Sequence, residues 1–76
     1  PNPAGDQAIY KITLPDSSAG EVQLRDVFGR LLITLALTAG ENKVVFDLST
    51  YTSGLYVYRV YVNGEPEVAD ILIISK

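Results

Sequence analysis

The sequence predicts an all-β domain, an antiparallel β-sandwich of about six to seven short strands. Three observations carry that expectation. Apolar and polar residues alternate at period two through most of the chain. Val, Ile, Thr, Tyr and Phe are concentrated in the alternating runs. Gly, Asn or Pro stands at nearly every break.

The first run, QAIYKITL (7–14), puts Ala8, Tyr10, Ile12 and Leu14 on one face, with Ile9, Lys11 and Thr13 opposite. PDSSAG (15–20) reads as a break. EVQLRDV (21–27) points Val22 and Leu24 inward against Gln23 and Arg25, and FGR turns the chain. RLLITLAL (30–37) is apolar on both faces, so period alone does not orient it. TAGEN (38–42) reads as the next turn. KVVFDL (43–48) places Val44, Phe46 and Leu48 on one face, and STYTSG (49–54) is a longer corner. LYVYRVYV (55–62) sets Tyr56, Tyr58, Val60 and Val62 against Leu55, Val57, Arg59 and Tyr61. After NGEPE, VADILIIS (68–75) completes the pattern. DVFGRLLITLAL is the best helix candidate, but Gly29 interrupts it and Ile33-Thr34 weakens it.

TSGLY places a glycine two residues before Tyr56, just after a corner and at the start of a strand. Immunoglobulin-like sandwiches carry a tyrosine at such a corner, its ring filling the end of the core while its hydroxyl bonds back to nearby backbone. The sandwich is therefore expected to be immunoglobulin-like. Gly54 is expected to supply either a positive φ or room for close approach. Tyr10, Val22, Leu24, Phe46, Tyr56 and Val60 are the expected core. In the last strand, if Ile71 and Ile73 face the core, Leu72 and Ile74 face out and offer a partner edge, through which self-association is expected.

Composition narrows the function. The 76 residues, 47% of them hydrophobic, suit one small domain, and a start at Pro1 without Met suggests a piece of a longer protein. Without Cys, no disulfide or thiolate metal site is available. A net charge of −3 argues against nucleic acid or an anionic membrane as partner. No apolar run reaches the roughly 18–20 residues of a membrane-spanning helix. Nucleophilic catalysis needs a base beside Ser, Thr or Cys, and there is no His. The serines fall in turns or at strand ends, and Glu65 and Glu67 around Pro66 read as an acidic hairpin tip. The chain is expected not to be an enzyme, with no catalytic residue, no cofactor and no metal site.

Several short motifs then fall in a particular order. They are Pro1-Asn2-Pro3, a strand, Asp26-Val27-Phe28-Gly29-Arg30 before an apolar strand, Thr38-Ala39-Gly40-Glu41-Asn42, Ser53-Gly54-Leu55-Tyr56, and an apolar last strand ending in Lys76. In this order and over essentially the whole chain, the sequence resembles the type A C-terminal sorting domain of proteins exported by the type IX secretion system. The resemblance implies one C-terminal domain over residues 1–76, joined to an N-terminal cargo in a larger secreted protein. It implies an immunoglobulin-like fold, type IX translocon components and a cell-surface sortase as partners, and passage through the periplasm to the cell surface or medium. The sorting motif carried over is Pro1, Asn2, Pro3, Gly29, Arg30, Gly54, Tyr56 and Lys76. Pro1 and Pro3 fix φ, hold Asn2 extended and cannot donate to a neighbouring strand. Gly29 is expected in a turn conformation closed to other residues. Lys76 has no evident packing role, and Arg59 reads equally as core edge or contact. Ala4 stands where the family often has a bulky residue, and VNGEPEVAD lacks the family's common basic residues.

Small sandwiches also serve as carbohydrate-binding or spacer modules of secreted enzymes, which is the alternative reading. Alternation puts Tyr58 and Tyr61 on opposite faces, so they cannot form one sugar platform.

Overall fold

The structure is a computed structural model and describes residues 4–76. Four strands form one antiparallel sheet: β1 (Gln7–Asp26), β2 (Leu31–Asp47), β3 (Gly54–Val62) and β4 (Glu65–Ile74), in the order β2-β1-β3-β4. The all-β expectation holds, and among the described residues there is no helix. The strand count differs from the expected six to seven, because β1 and β2 each contain two of the expected strands.

The reason lies in PDSSAG and TAGEN, which bend the chain without reversing it. The β1–β2 ladder runs from Gln7↔Asp47 to Leu14↔Gly40 and resumes at Ala19↔Thr38, leaving Pro15 to Ser18 opposite Ala39. Ser17 takes φ 62° within this bulge. Pro15 is tolerated there because a bulge asks for no ladder donor. The side chain of Asn42 holds the matching bend in β2. Its Oδ1 accepts from the Thr38 amide at 3.0 Å, and its Nδ2 donates to the carbonyls of Thr38 (2.8 Å) and Ile12 (3.1 Å).

Bending lets one sheet cover itself. The Tyr10 ring lies 4.7 Å from that of Tyr58 and 5.9 Å from that of Phe46. Yet Tyr10 pairs with Val44 in the ladder, while Tyr58 pairs with Leu24 and Asp70. The first half of β1 therefore folds over the inner face of β3. Between them sit Phe46, Leu24, Leu48, Leu72, Ile74 and Val22, all fully buried. Tyr56 and Val60 join them as expected, while Tyr10 is half-buried at the margin. In RLLITLAL, Leu37 is buried and Ile33 and Leu35 pack against the core on the same face, with Leu32 also packed against it at the start of β2, which gives the orientation that period alone left open.

The register of β3 is the expected one, with Val60 inward and Arg59 outward. That of β4 is the opposite of the one that would expose Leu72 and Ile74. Leu72 is 0% and Ile74 1% exposed, whereas Ile71 and Ile73 are 50% and 42% exposed. All four are aliphatic, so local sequence carries no preference. Pairing with β3 decides it, because Leu72 sits opposite the inward Tyr56. β3 and β4 join through Asn63-Gly64, both at positive φ (51° and 83°), the hairpin turn that matches strand twist. The Asn63 amide donates to Ala19 O at 2.7 Å, which ties this turn to the β1 bulge.

Candidate functional site

The sheet ends in two different poles. One carries the β1 bulge, the β2 bend and the Asn63-Gly64 turn. At the other, the end of β1, the start of β2, the start of β3 and the end of β4 meet through the pairs Asp26↔Tyr56, Tyr56↔Leu72 and Gly54↔Ile74. Gly29, Arg30, Gly54, Tyr56 and Lys76 all lie at this second pole, whereas Thr38-Ala39-Gly40-Glu41-Asn42 lies at the first. Pro1, Asn2 and Pro3 lie outside the described residues. Ala4, which follows them, is at this pole too, forming a parallel bridge to Ile74. Its amide donates to Ile73 O and its carbonyl accepts from the Ser75 amide, both at 2.8 Å. Ala4 is 2% exposed, so a small side chain here is packed against the core.

The turn between β1 and β2 is organised by one carboxylate. Asp26 Oδ1 accepts from the amides of Phe28 (2.9 Å) and Arg30 (3.0 Å), and Oδ2 pairs with Arg30 Nε at 2.6 Å. Gly29 closes the loop at φ 81°, a conformation that a side chain disfavours, as expected. Arg25 Nη1 donates to Gly29 O at 2.9 Å. Partial burial works to raise the Asp26 pKa, but the hydrogen bonds from Arg30 and Phe28 and the Arg30 charge outweigh it. The carboxyl is held below its ordinary value. This cage presents three groups to solvent: Val27 at 63% and Phe28 at 82% exposure, and the Arg30 guanidinium 5.7 Å above the Phe28 ring.

The corner before β3 is the second part. Tyr56 Oη donates to Thr52 O at 2.7 Å, the back-bond expected of a corner tyrosine. Its ring lies 6.1 Å from that of Tyr51. Gly54 has φ 154°, and an added Cβ would make only ordinary contact with Tyr56 at 3.9 Å. Its role is therefore conformational, and not one of making room. Asp47 Oδ1 accepts from the Ser49 hydroxyl (2.7 Å) and amide (3.1 Å), which together hold its carboxyl below the ordinary value.

Lys76 is the third part, and here the structure assigns a duty that sequence reasoning missed. Its Nζ donates to Leu48 O (2.7 Å) and Ser49 O (3.1 Å) and lies 3.5 Å from Asp6 Oδ1, while its amide donates to Ser53 Oγ at 3.0 Å. The terminal lysine thus laces the corner shut. Because its partners stand 27 and 28 residues away in sequence, no local pattern could have announced it.

A cleft of about 320 Å³ joins the first two parts, lined by Val27, Phe28 and Arg30 on one side and by Tyr51, Gly54 and Tyr56 on the other. A larger groove of about 470 Å³ lies away from these motifs, between the first half of β1 and β4, with Tyr10, Tyr58, Val60 and Val62 along it. Burial pushes the Tyr10 and Tyr58 phenols up, with Asp70 adding to both. Among the described residues, no group of three or more acidic side chains could hold a metal ion. The motif pole offers shape, exposed apolar side chains and the exposed Arg30 guanidinium, the makings of a surface to be recognised.

Comparison with known proteins places the chain beside a family. The model of a family described as a secretion system C-terminal sorting domain matches residues 1–75. No curated protein and no solved structure matches the chain.

Proposed function

The chain belongs to the secretion system C-terminal sorting domain family, and on that premise we propose that it is the export address of a larger protein. The family is one of type IX secretion signals and is not a class of enzymes. The family implies export across the outer membrane to the cell surface or medium. In this reading residues 1–76 form a single C-terminal domain behind an N-terminal cargo. The cargo passes the periplasm, the folded domain engages the translocon, and a cell-surface sortase acts on it afterwards. Gly29, Arg30, Gly54, Tyr56 and Lys76 build the pole where cargo and domain meet.

The observation that carries the reading is the family match over residues 1–75. The gathering of Gly29, Arg30, Gly54, Tyr56 and Lys76 at one pole supports it. A bent sheet that packs on itself also suits the immunoglobulin-like layering of the family. The described motif residues build local structure, Gly29 and Gly54 by backbone conformation and Arg30, Tyr56 and Lys76 by side-chain bonds that hold a turn, a corner and the last residue in place. A sorting signal built this way is a folded surface, and short peptides cut from it should not compete with it.

The test is a reporter joined upstream of Pro1 in cells with an intact type IX system. The full domain should bring it to the surface or medium. Deletion of residues 73–76 should leave it in the periplasm, since that removes the buried Ile74 and the Lys76 clasp. Equal export of both forms would refute the reading.

A further inference from the structure

The outer face of the sheet at the motif pole is apolar where a solvated face would be polar. Two rows of aliphatic side chains cross β3 and β4 there. Leu55 sits opposite Ile73, and Val57 opposite Ile71. Their exposures are 50%, 42%, 38% and 50%. Val27, 63% exposed, follows Asp26 at the end of β1, beside the start of β3. Together these five side chains leave on the order of 400 Å² of apolar surface in water, within the range of the largest patch on a typical monomer, which is often functional.

The charged side chains of β1 and β3 nearest the patch on this face are both cations. Arg25 pairs with Val57, and Arg59 stands one step along β3, opposite Ala69 and Gln23. The nearest acid along β1 on this face, Glu21, lies beyond Gln23 and accepts from its Nε2. A chain of net charge −3 thus sets two arginines on the face of its exposed aliphatic rows, while the Asp70 carboxylate, which accepts from the Ile71 amide at 2.8 Å, belongs to a residue paired with the inward Tyr58. The two arginines would find no opposite charge on the same face of a second copy.

We infer that this face is the docking surface for a protein component of the secretion machinery, one that offers an apolar strip bordered by carboxylates. The inference rests on the sorting reading and adds to it the surface and the chemistry of the partner. The patch is about half of what one partner contributes to a standard stable interface, which suits a contact made in transit and then released. The apolar rows supply the desolvated centre of such a contact, and the arginines its orientation.

The test uses the cargo fusion in a strain with an intact type IX system. Val57→Lys combined with Ile71→Glu replaces a directly opposed aliphatic pair by an opposed ion pair, which a sheet tolerates. Val57→Thr with Ile71→Thr is the second variant, keeping strand propensity should the first unfold. Melting temperature and near-ultraviolet circular dichroism report the fold. Ile9→Thr, which alters a similarly exposed aliphatic on the first half of β1, is the control. With the fold retained, export should fall by about tenfold or more, the loss expected from an ordinary hot spot, while the control exports normally. Arg59→Glu should reduce export more than Arg59→Gln. Normal export by both folded double variants overturns the inference while leaving the sorting reading standing. A wild-type fusion that stays in the periplasm overturns both. Two further outcomes reassign the face and overturn the proposed partner: a wild-type dimer in sedimentation that Val57→Lys/Ile71→Glu dissolves, or binding to anionic phospholipid vesicles that the same change abolishes.

Discussion

Removing one oxygen from the corner tyrosine isolates a single interaction. Tyr56→Phe keeps the ring, which is 7% exposed and packed near Tyr51, and deletes the 2.7 Å hydrogen bond to Thr52 O. A neutral hydrogen bond of this kind contributes about 0.5–1.5 kcal/mol net. Thr52 is exposed, so water can reach its carbonyl once the hydroxyl is gone, and the middle of that range, about 1 kcal/mol, is expected. For a domain of this size 1 kcal/mol lowers the melting temperature by about 4–8 °C. Tyr56→Ala also removes the ring, and large aromatic truncations cost about 3–5 kcal/mol. A chain this long has only about 4–11 kcal/mol in total, so the alanine variant should be partly unfolded at 37 °C. Thermal melts followed by circular dichroism, with urea titration as the second probe, separate the two. A phenylalanine variant that melts with wild type would show that the corner bond contributes nothing. One that melts as low as the alanine variant would show that the hydroxyl, and not the ring, holds the corner.

Four other changes have defined outcomes. Asp26→Asn should flatten the acid side of the stability profile. The carboxylate is held below its ordinary value when folded, so its contribution is present above the unfolded pKa and lost as pH falls through the folded one. Wild type and variant melting temperatures should converge at low pH, and parallel curves would refute this. Lys76→Ala should lower stability by about 1 kcal/mol, because the bonds to Leu48 and Ser49 are lost; an unchanged melt would refute the clasp. Gly29→Ala should cost about 1–2 kcal/mol from its φ of 81° alone, since an added Cβ meets nothing within 4 Å; a stabilised variant would contradict that. Gly20→Ala should cost more, by about 2–3 kcal/mol, because its Cβ would stand 2.2 Å from Tyr61 O in the middle of the sheet; urea titration would expose a neutral variant at once.

Gly20 also marks where the sequence stopped being legible. Its constraint comes from a backbone atom of β3 lying across the ladder, and no neighbour in the chain signals it. The same holds for Lys76, whose partners are on the far side of the corner. The alternation in LYVYRVYV was readable because a charge, Arg59, breaks one face, and the structure keeps that register. ILII was not readable, since both of its faces are aliphatic and only pairing with β3 selects Leu72 and Ile74 for the core. PDSSAG and TAGEN were read correctly as interruptions and wrongly as strand ends. A bulge and a reversal draw on the same residues, because both need unpaired backbone and positive φ, as Ser17 and Gly40 show. The Gly29 turn and the Tyr56 corner were legible because each is a local geometry with a narrow choice of residues. The gathering of these motifs at one pole was not, because it follows from the strand order β2-β1-β3-β4.

The central claim is that this chain is an address read by one export system. The most direct measurement joins a reporter upstream of Pro1 and compares two strains that differ only in possessing the type IX system. Surface and medium fractions are quantified against the periplasmic pool. Reporter outside the cell in the intact strain, and confined to the periplasm in the other, is the expected result. Equal export in both strains, or none in either, would contradict the claim.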